Sequence, residues 1–223
     1  MADRRTVRAI HRRLEKRFGS LAPPRSSDPL EELILTVLSQ HTSDVNAVRA
    51  FGALRARFPT WDGVVRARTA TVANAIRPGG LANVKAPRIQ AILRAIHERG
   101  GRYDLSFLED MSDAEARAYL STLNGVGPKT AAIVLAFSLG RNALAVDTHV
   151  HRVARRLDLV PAQASAEKAQ VMLNELVPPE LRVAMHVGLI RLGREICTAR
   201  RPRCPICPLN DICPTGRANL GRA

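Results

Sequence analysis

Lys129 is the first residue whose type and position suggest chemistry. It stands in Leu123-Asn124-Gly125-Val126-Gly127-Pro128-Lys129-Thr130, directly behind a glycine-rich turn. Gly125 and Gly127 allow positive φ and close backbone approach, and Pro128 suits the first turn of a following helix. The N–H groups at such a helix start can hold a phosphate without reading bases. The pattern does not match G-x4-G-K-[ST], so it is no nucleotide-binding P-loop. Taken alone, it also fits an ordinary helix–helix turn. A lysine in that first turn meets the positive end of the helix dipole and partial burial, and both favour the neutral amine. A neutral lysine is a nucleophile capable of Schiff-base chemistry.

Eighteen residues later comes Asp147, in Ala-Val-Asp147-Thr148-His149-Val150. As the N-cap of a helix running through Val153 and Leu157, it is structurally explained in full. A capped carboxylate is also ionised and held in one orientation, which is what stabilising a developing cation requires.

The four cysteines, Cys197, Cys204, Cys207 and Cys213, follow the spacing C-x6-C-x2-C-x5-C. The N-terminus shows no secretory pattern, so disulfides are a poor reading. Structural zinc usually pairs two C-x2-C knuckles, and here only Cys204 and Cys207 form one. A [4Fe–4S] cluster takes four thiolates from one compact loop, often with proline after a ligand. Pro205, Pro208 and Pro214 each follow a cysteine. Chemistry alone ranks iron–sulfur above zinc, with zinc as the alternative. Arg200, Arg201 and Arg203 lie within the same loop. A metal-pinned loop would present them as a basic prong for backbone phosphates, or they would simply solvate it.

These residues must be positioned by helices. Val7, Ile10, Leu14 and Phe18 space one helical face. Leu33, Ile34, Val37 and Leu38 make a second stripe, and Ile89, Ile92, Leu93 and Ile96 a third. Ser112 and Glu115 form a capping-box pattern. Ile133, Val134 and Phe137 continue the period, followed by Val150, Val153 and Leu157. Val171, Met172, Glu175 and Leu176 predict a weaker late helix, and Met185, Leu189 and Leu192 the last one. Alternating strand patterns are nearly absent, and aromatic residues make up 4%, so the fold class is all-α. No apolar run approaches the roughly 18 residues of a membrane span, and none resembles a signal core.

The chain has 223 residues and a net charge of +14, from 34 basic and 20 acidic side chains. Its pI near 11.1 points to a polyanion, most often nucleic acid. Lysine occurs only at positions 16, 85, 129 and 168, so 30 of the basic residues are arginine. Arginine binds phosphate bidentately and stays charged. A lysine kept at a pivotal site in such a chain raises the question of why an amine is needed there.

The Leu123-x-Gly-Val-Gly-x-Lys129-Thr-Ala segment, the Val-Asp147-Thr-His segment and the cysteine spacing, in this order, resemble the endonuclease III family of helix-hairpin-helix DNA glycosylases. The resemblance covers almost the whole chain. It implies two helical domains with DNA in a cleft between them. Residues 22–141 would form a six-helix barrel carrying the hairpin, and 1–21 plus 142–223 would form the iron–sulfur domain. It implies excision of oxidised pyrimidines in base excision repair. Lys129 would attack C1′, the Schiff base would undergo β-elimination, and Asp147 would assist. The flipped base fits the general need to take a base out of the stack before acting on it.

The implied DNA contacts are Gln40, His41, Leu81, Gly125, Gly127, Thr130 and His149, together with the arginine prong. Family members carry a gap-filling glutamine three residues before an Asp; here that place is His41, with Gln40 one earlier, and either side chain could wedge. Leu81 would intercalate from a second loop, beside Ala82 where relatives often carry Tyr. The expected partner is double-stranded DNA with damaged bases or abasic sites, bound by a monomer away from any membrane, in the cytoplasm or at the nucleoid. Two other functions compete: a non-catalytic binder of distorted DNA, and a monofunctional mismatch glycosylase. Family members that excise mismatched bases lack the lysine.

Overall fold

The computed structural model describes residues 3–22 and 28–221. Among these it contains twelve α-helices, short 3₁₀ turns and no strand, as the sequence pattern predicts. The helices are α1 (Arg4–Phe18), α2 (Pro29–Ser39), α3 (Asp44–Arg57), α4 (Trp61–Arg66), α5 (Thr69–Ala75) and α6 (Ala82–Gly100). They continue as α7 (Asp113–Thr122), α8 (Pro128–Phe137), α9 (Thr148–Arg156), α10 (Ala166–Leu176), α11 (Arg182–Glu195) and α12 (Pro214–Leu220). No helix among the described residues is long and apolar enough to cross a membrane.

Side-chain caps explain most of the helix starts. Asp3 accepts from Thr6 N at 2.8 Å and Asp28 from Leu30 N at 2.8 Å. Ser112 and Glu115 close a reciprocal capping box at α7. Each cap supplies an acceptor to N–H groups that the helix itself leaves without a partner.

The chain divides into two compact units, residues 25–141 and residues 1–24 with 142–223. In the first, α2 packs against α3 and α8. Leu33, Ile34 and Val37 of α2, Ile89 and Leu93 of α6, and Val134 and Leu135 of α8 are wholly buried there. In the second, α1 and α9 both pack on α11. Val7, Ile10, Leu14, Val150, Val153, Met185 and Leu189 make its core. Gly188 lets α1 approach: a Cβ on it would lie 3.0 Å from Leu14 Cδ1.

Helix α10 forms where the pattern predicts it, but its buried face is rotated. Ala169, Gln170 and Leu173 face inward, while Val171 is 60% exposed. The reason is polar: Gln170 and Asn174 of α10 are needed against the backbone that leads to Asp147.

Candidate active site

Hairpin α7–turn–α8 holds Lys129. Leu123 and Val126 are buried and anchor the turn, which closes with Val126 N donating to Leu123 O at 3.0 Å. Gly125 has φ +75, and a Cβ there would fall 2.3 Å from Nε of Arg88. The left-handed conformation favours glycine, and any Cβ would also displace the flexible end of Arg88. Gly127 differs from the sequence expectation. Its φ is −93, its ψ −179, and nothing lies within 4 Å of an added Cβ. It serves as the N-cap of α8, which has no side-chain cap, with Pro128 in the first turn. The first intrahelical bond runs from Ala131 N to Gly127 O at 3.0 Å. The N–H groups of Lys129 and Thr130 therefore precede the helical ladder, as an anion-holding helix start requires. Lys129 is half-buried, whereas Thr130 is 3% exposed.

Glu32 on α2 lies within electrostatic reach of Lys129, a residue the sequence pattern gave no reason to single out. Burial pushes its carboxyl above the usual carboxylate range. The hydrogen bond from Thr36 Oγ1, at 3.2 Å, and the Lys129 charge pull the other way.

The wedge candidates separate. Gln40 points inward: its Oε1 accepts from Arg88 Nη1 at 2.7 Å, and its Nε2 donates to Gly125 O at 3.3 Å. His41 is exposed and left-handed, with φ 55. Leu81 is likewise left-handed, with φ 49, and 53% exposed.

Asp147 belongs to the other unit. Its Oδ1 accepts from Val150 N at 2.7 Å, so it caps α9 as its position predicts. The preceding stretch Ala143–Val146 is buried yet has no regular structure. Its backbone groups need partners, and side chains provide them. Asn174 exchanges two bonds with Leu144, at 3.0 and 2.8 Å. Val146 N donates to Gln170 Oε1 at 3.2 Å, and His186 Nδ1 lies 2.8 Å from Ala145 O. This side-chain ladder fixes the entry to Asp147. His149, half-buried on the first turn of α9, lies 3.2 Å from Arg152 Nη2 through Nδ1.

All four cysteines line one pocket, with Arg156 and Asn210 on its wall and about 300 Å³ of space including open solvent. They are free thiols. Gly216 N and Arg156 Nη1 donate to the sulfurs of Cys213 and Cys197, at 3.3 and 3.2 Å. Burial and the neighbouring cysteines push the thiols of Cys207 and Cys213 up. Four thiolates in this pocket therefore need cationic iron or zinc to form. The donor set and the N–H bonds to sulfur fit a cluster.

Arginines of α9, unremarked in the sequence, hold this loop. Arg156 donates to Thr198 O and Ala199 O at 2.8 Å each, and Arg152 to Cys197 O at 3.1 Å. All three prong residues are exposed, and the guanidinium of Arg203 is also bonded to Glu195 O.

An all-helical chain with a Gly-Val-Gly hairpin and an uncapped, lysine-bearing helix start defines a helix-hairpin-helix protein. Residues 34–179 match the HhH-GPD superfamily of base excision DNA repair proteins, and residues 197–213 the iron–sulfur binding domain of endonuclease III. The chain is 35% identical over 211 residues to endonuclease III of Thermotoga maritima, covering 93% of this chain and 92% of that one. It is 40% identical over 190 residues to a provisionally named DNA glycosylase of Arabidopsis thaliana, At3g47830, covering 83% of this chain. The chain spans 64% of that plant protein's length. A solved structure of a trapped endonuclease III–DNA covalent intermediate superimposes with a TM-score of 0.86 at 29% identity, covering 99% and 100% of the two chains. The chain belongs to the endonuclease III family, the iron–sulfur-binding DNA glycosylases/AP lyases of base excision repair.

Proposed function

We propose that this chain excises oxidised pyrimidines from duplex DNA and nicks the strand by β-elimination, with Lys129 as the nucleophile. The observation that carries this is the placement of Lys129 as the second residue of α8, directly behind the uncapped Gly127-Pro128 start. The backbone N–H groups there suit a phosphate beside the reacting sugar, and the half-buried amine is presented from the same turn. That endonuclease III has been trapped as a covalent intermediate with DNA supports an amine attack.

In this scheme the Lys129 Nζ–C1′ bond forms as the N-glycosidic bond breaks, and the base leaves with the electron pair. The nitrogen then loses a proton, and its electron pair forms the Schiff base as the C1′–O4′ bond breaks and O4′ takes up a proton. Loss of a C2′ proton expels the 3′ phosphate and nicks the strand. Asp147, oriented by its cap, stabilises the cation that develops on the sugar. Cys197, Cys204, Cys207 and Cys213 hold a [4Fe–4S] cluster, which braces the loop carrying Arg200 and Arg201. Gly125, Gly127, Thr130, His149 and Arg203 contact the DNA, with His41 and Leu81 as its wedges and Gln40 between hairpin and wedge. DNA with damaged bases or abasic sites is the partner of a monomer.

A lesion panel tests this directly. A duplex carrying thymine glycol should be nicked to a β-elimination product, whereas an A·8-oxoguanine or G·T mismatch should not. Base release without a nick would contradict the lyase step, and salt-sensitive binding with no product on any lesion would contradict both steps.

A further inference from the structure

Among the described residues, Lys85 is the largest fully buried side chain, 1% exposed and carrying an amine inside an apolar unit. Nothing in the chemistry above uses it. Its Nζ donates to Leu38 O at 2.7 Å and to Gly79 O at 2.8 Å. Leu38 lies in the last turn of α2, whose carbonyls have no partner within the helix. Gly79 ends the 3₁₀ turn Arg77–Gly79. Three residues beyond Leu38 stands His41, and two beyond Gly79 stands Leu81. Among the described residues, only His41, Leu81 and Asp158 have positive φ without being glycine. Left-handed backbone is costly for residues with a Cβ and persists only where the surroundings over-determine it. Leu81 receives no help from a side-chain cap, although α6 starts directly after it.

We propose that Lys85 is a positioning residue for base extrusion, its amine tying together the two loops that present His41 and Leu81. The inference rests on the wedge roles of those two side chains. One amine with two hydrogen bonds sets the spacing of both loops, which no apolar residue of that length can do. Burial and the nearby Arg88 push the Lys85 amine below its ordinary range. A neutral amine still has two N–H groups for the two carbonyls. The role thus survives either protonation state.

The test uses a duplex with a tetrahydrofuran abasic analogue beside 2-aminopurine, whose fluorescence rises when the wedges unstack it. Lys85→Met keeps the chain length but has no donor; the rise should slow by about tenfold or more, while affinity for undamaged duplex stays within about twofold of the parent. In a background of His41→Ala with Leu81→Ala, the same Lys85→Met change should cost less than about twofold, because the positioned groups are gone. Lys85→Gln, whose amide keeps two N–H donors on a side chain one atom shorter, should be intermediate, and serves if the methionine variant does not fold. An unchanged rise in Lys85→Met, or an equal loss in both backgrounds, would overturn the proposal. A parent protein that binds this duplex without any rise would refute the wedge roles themselves, and the positioning role with them.

Discussion

Asp147 combines capping with proposed catalysis, and substitution can separate the two. Asparagine caps a helix about as well as aspartate, so Asp147→Asn should leave stability within about 0.5 kcal/mol of the parent while losing the charge. Single-turnover base release should then fall about 100-fold or more. Asp147→Ala should lose the same activity and about 1 kcal/mol of stability besides. Denaturant melts beside single-turnover assays check both. Glu32 is the opposite case, a carboxyl retained against stability. Its folded value lies above the ordinary 4.5 because burial disfavours the charged form. The folded chain therefore holds this proton more tightly than the unfolded one. That contribution is fully present below pH 4.5 and is lost as pH rises through the raised value. Glu32→Gln, always neutral, should raise the melting temperature at pH 7 by about 2–4 °C for each 1 kcal/mol recovered, and leave it unchanged at pH 4. An equal shift at both pH values would show packing rather than charge.

The cysteine loop is the element whose order depends most on something outside the helices. Arg156 gives it two carbonyl bonds and one to sulfur, but four thiolates gathered in one pocket need their iron. Cys207→Ala should lose the brown colour and weaken DNA binding, while trapping at saturating DNA persists. Loss of trapping at saturation would place the loop in the chemistry itself. Elements with a clean apolar period were legible in the sequence: α1, α2, α6, α8, α9 and α11 bury the stripes their residues predict. The capping box and the Asp147 cap were legible too, since they depend on local spacing alone. The inward face of α10 was not. Gln170 and Asn174 lie outside the apolar stripe, and their partners, the backbone of Val146 and Leu144, are distant in sequence. Glu32 and Lys85 were hidden for the same reason, because their partners are not neighbours in sequence. Gly127 was read as a positive-φ glycine and instead is an extended N-cap.

At the scale of the molecule, the +14 charge divides into different tasks. Arg141 spends its guanidinium on Leu108 O, Met111 O and Asp113. Arg182 bonds Val177 O and Asn142 O, and Arg152 and Arg156 hold the cysteine loop. These are internal struts, which net charge alone could not distinguish from DNA contacts. Arg200 and Arg201 are exposed. Replacing both with Ala should reduce the slope of log affinity against log salt by about 2, at roughly 0.9 per phosphate contact. Arg141→Ala should leave that slope alone and cost about 2 kcal/mol of stability through the carbonyls it abandons. Salt titrations of duplex binding, with melts alongside, separate the two classes.

The central claim is that the amine of Lys129 attacks the sugar. Borohydride reduction during incubation with an abasic-site duplex captures the Schiff base as a stable protein–DNA adduct. The parent protein should give this adduct, Lys129→Ala should give none while still binding the duplex, Lys16 and Lys168 should be dispensable for it, and Lys85→Met should still form it, only more slowly. Full trapping by Lys129→Ala would contradict the assignment.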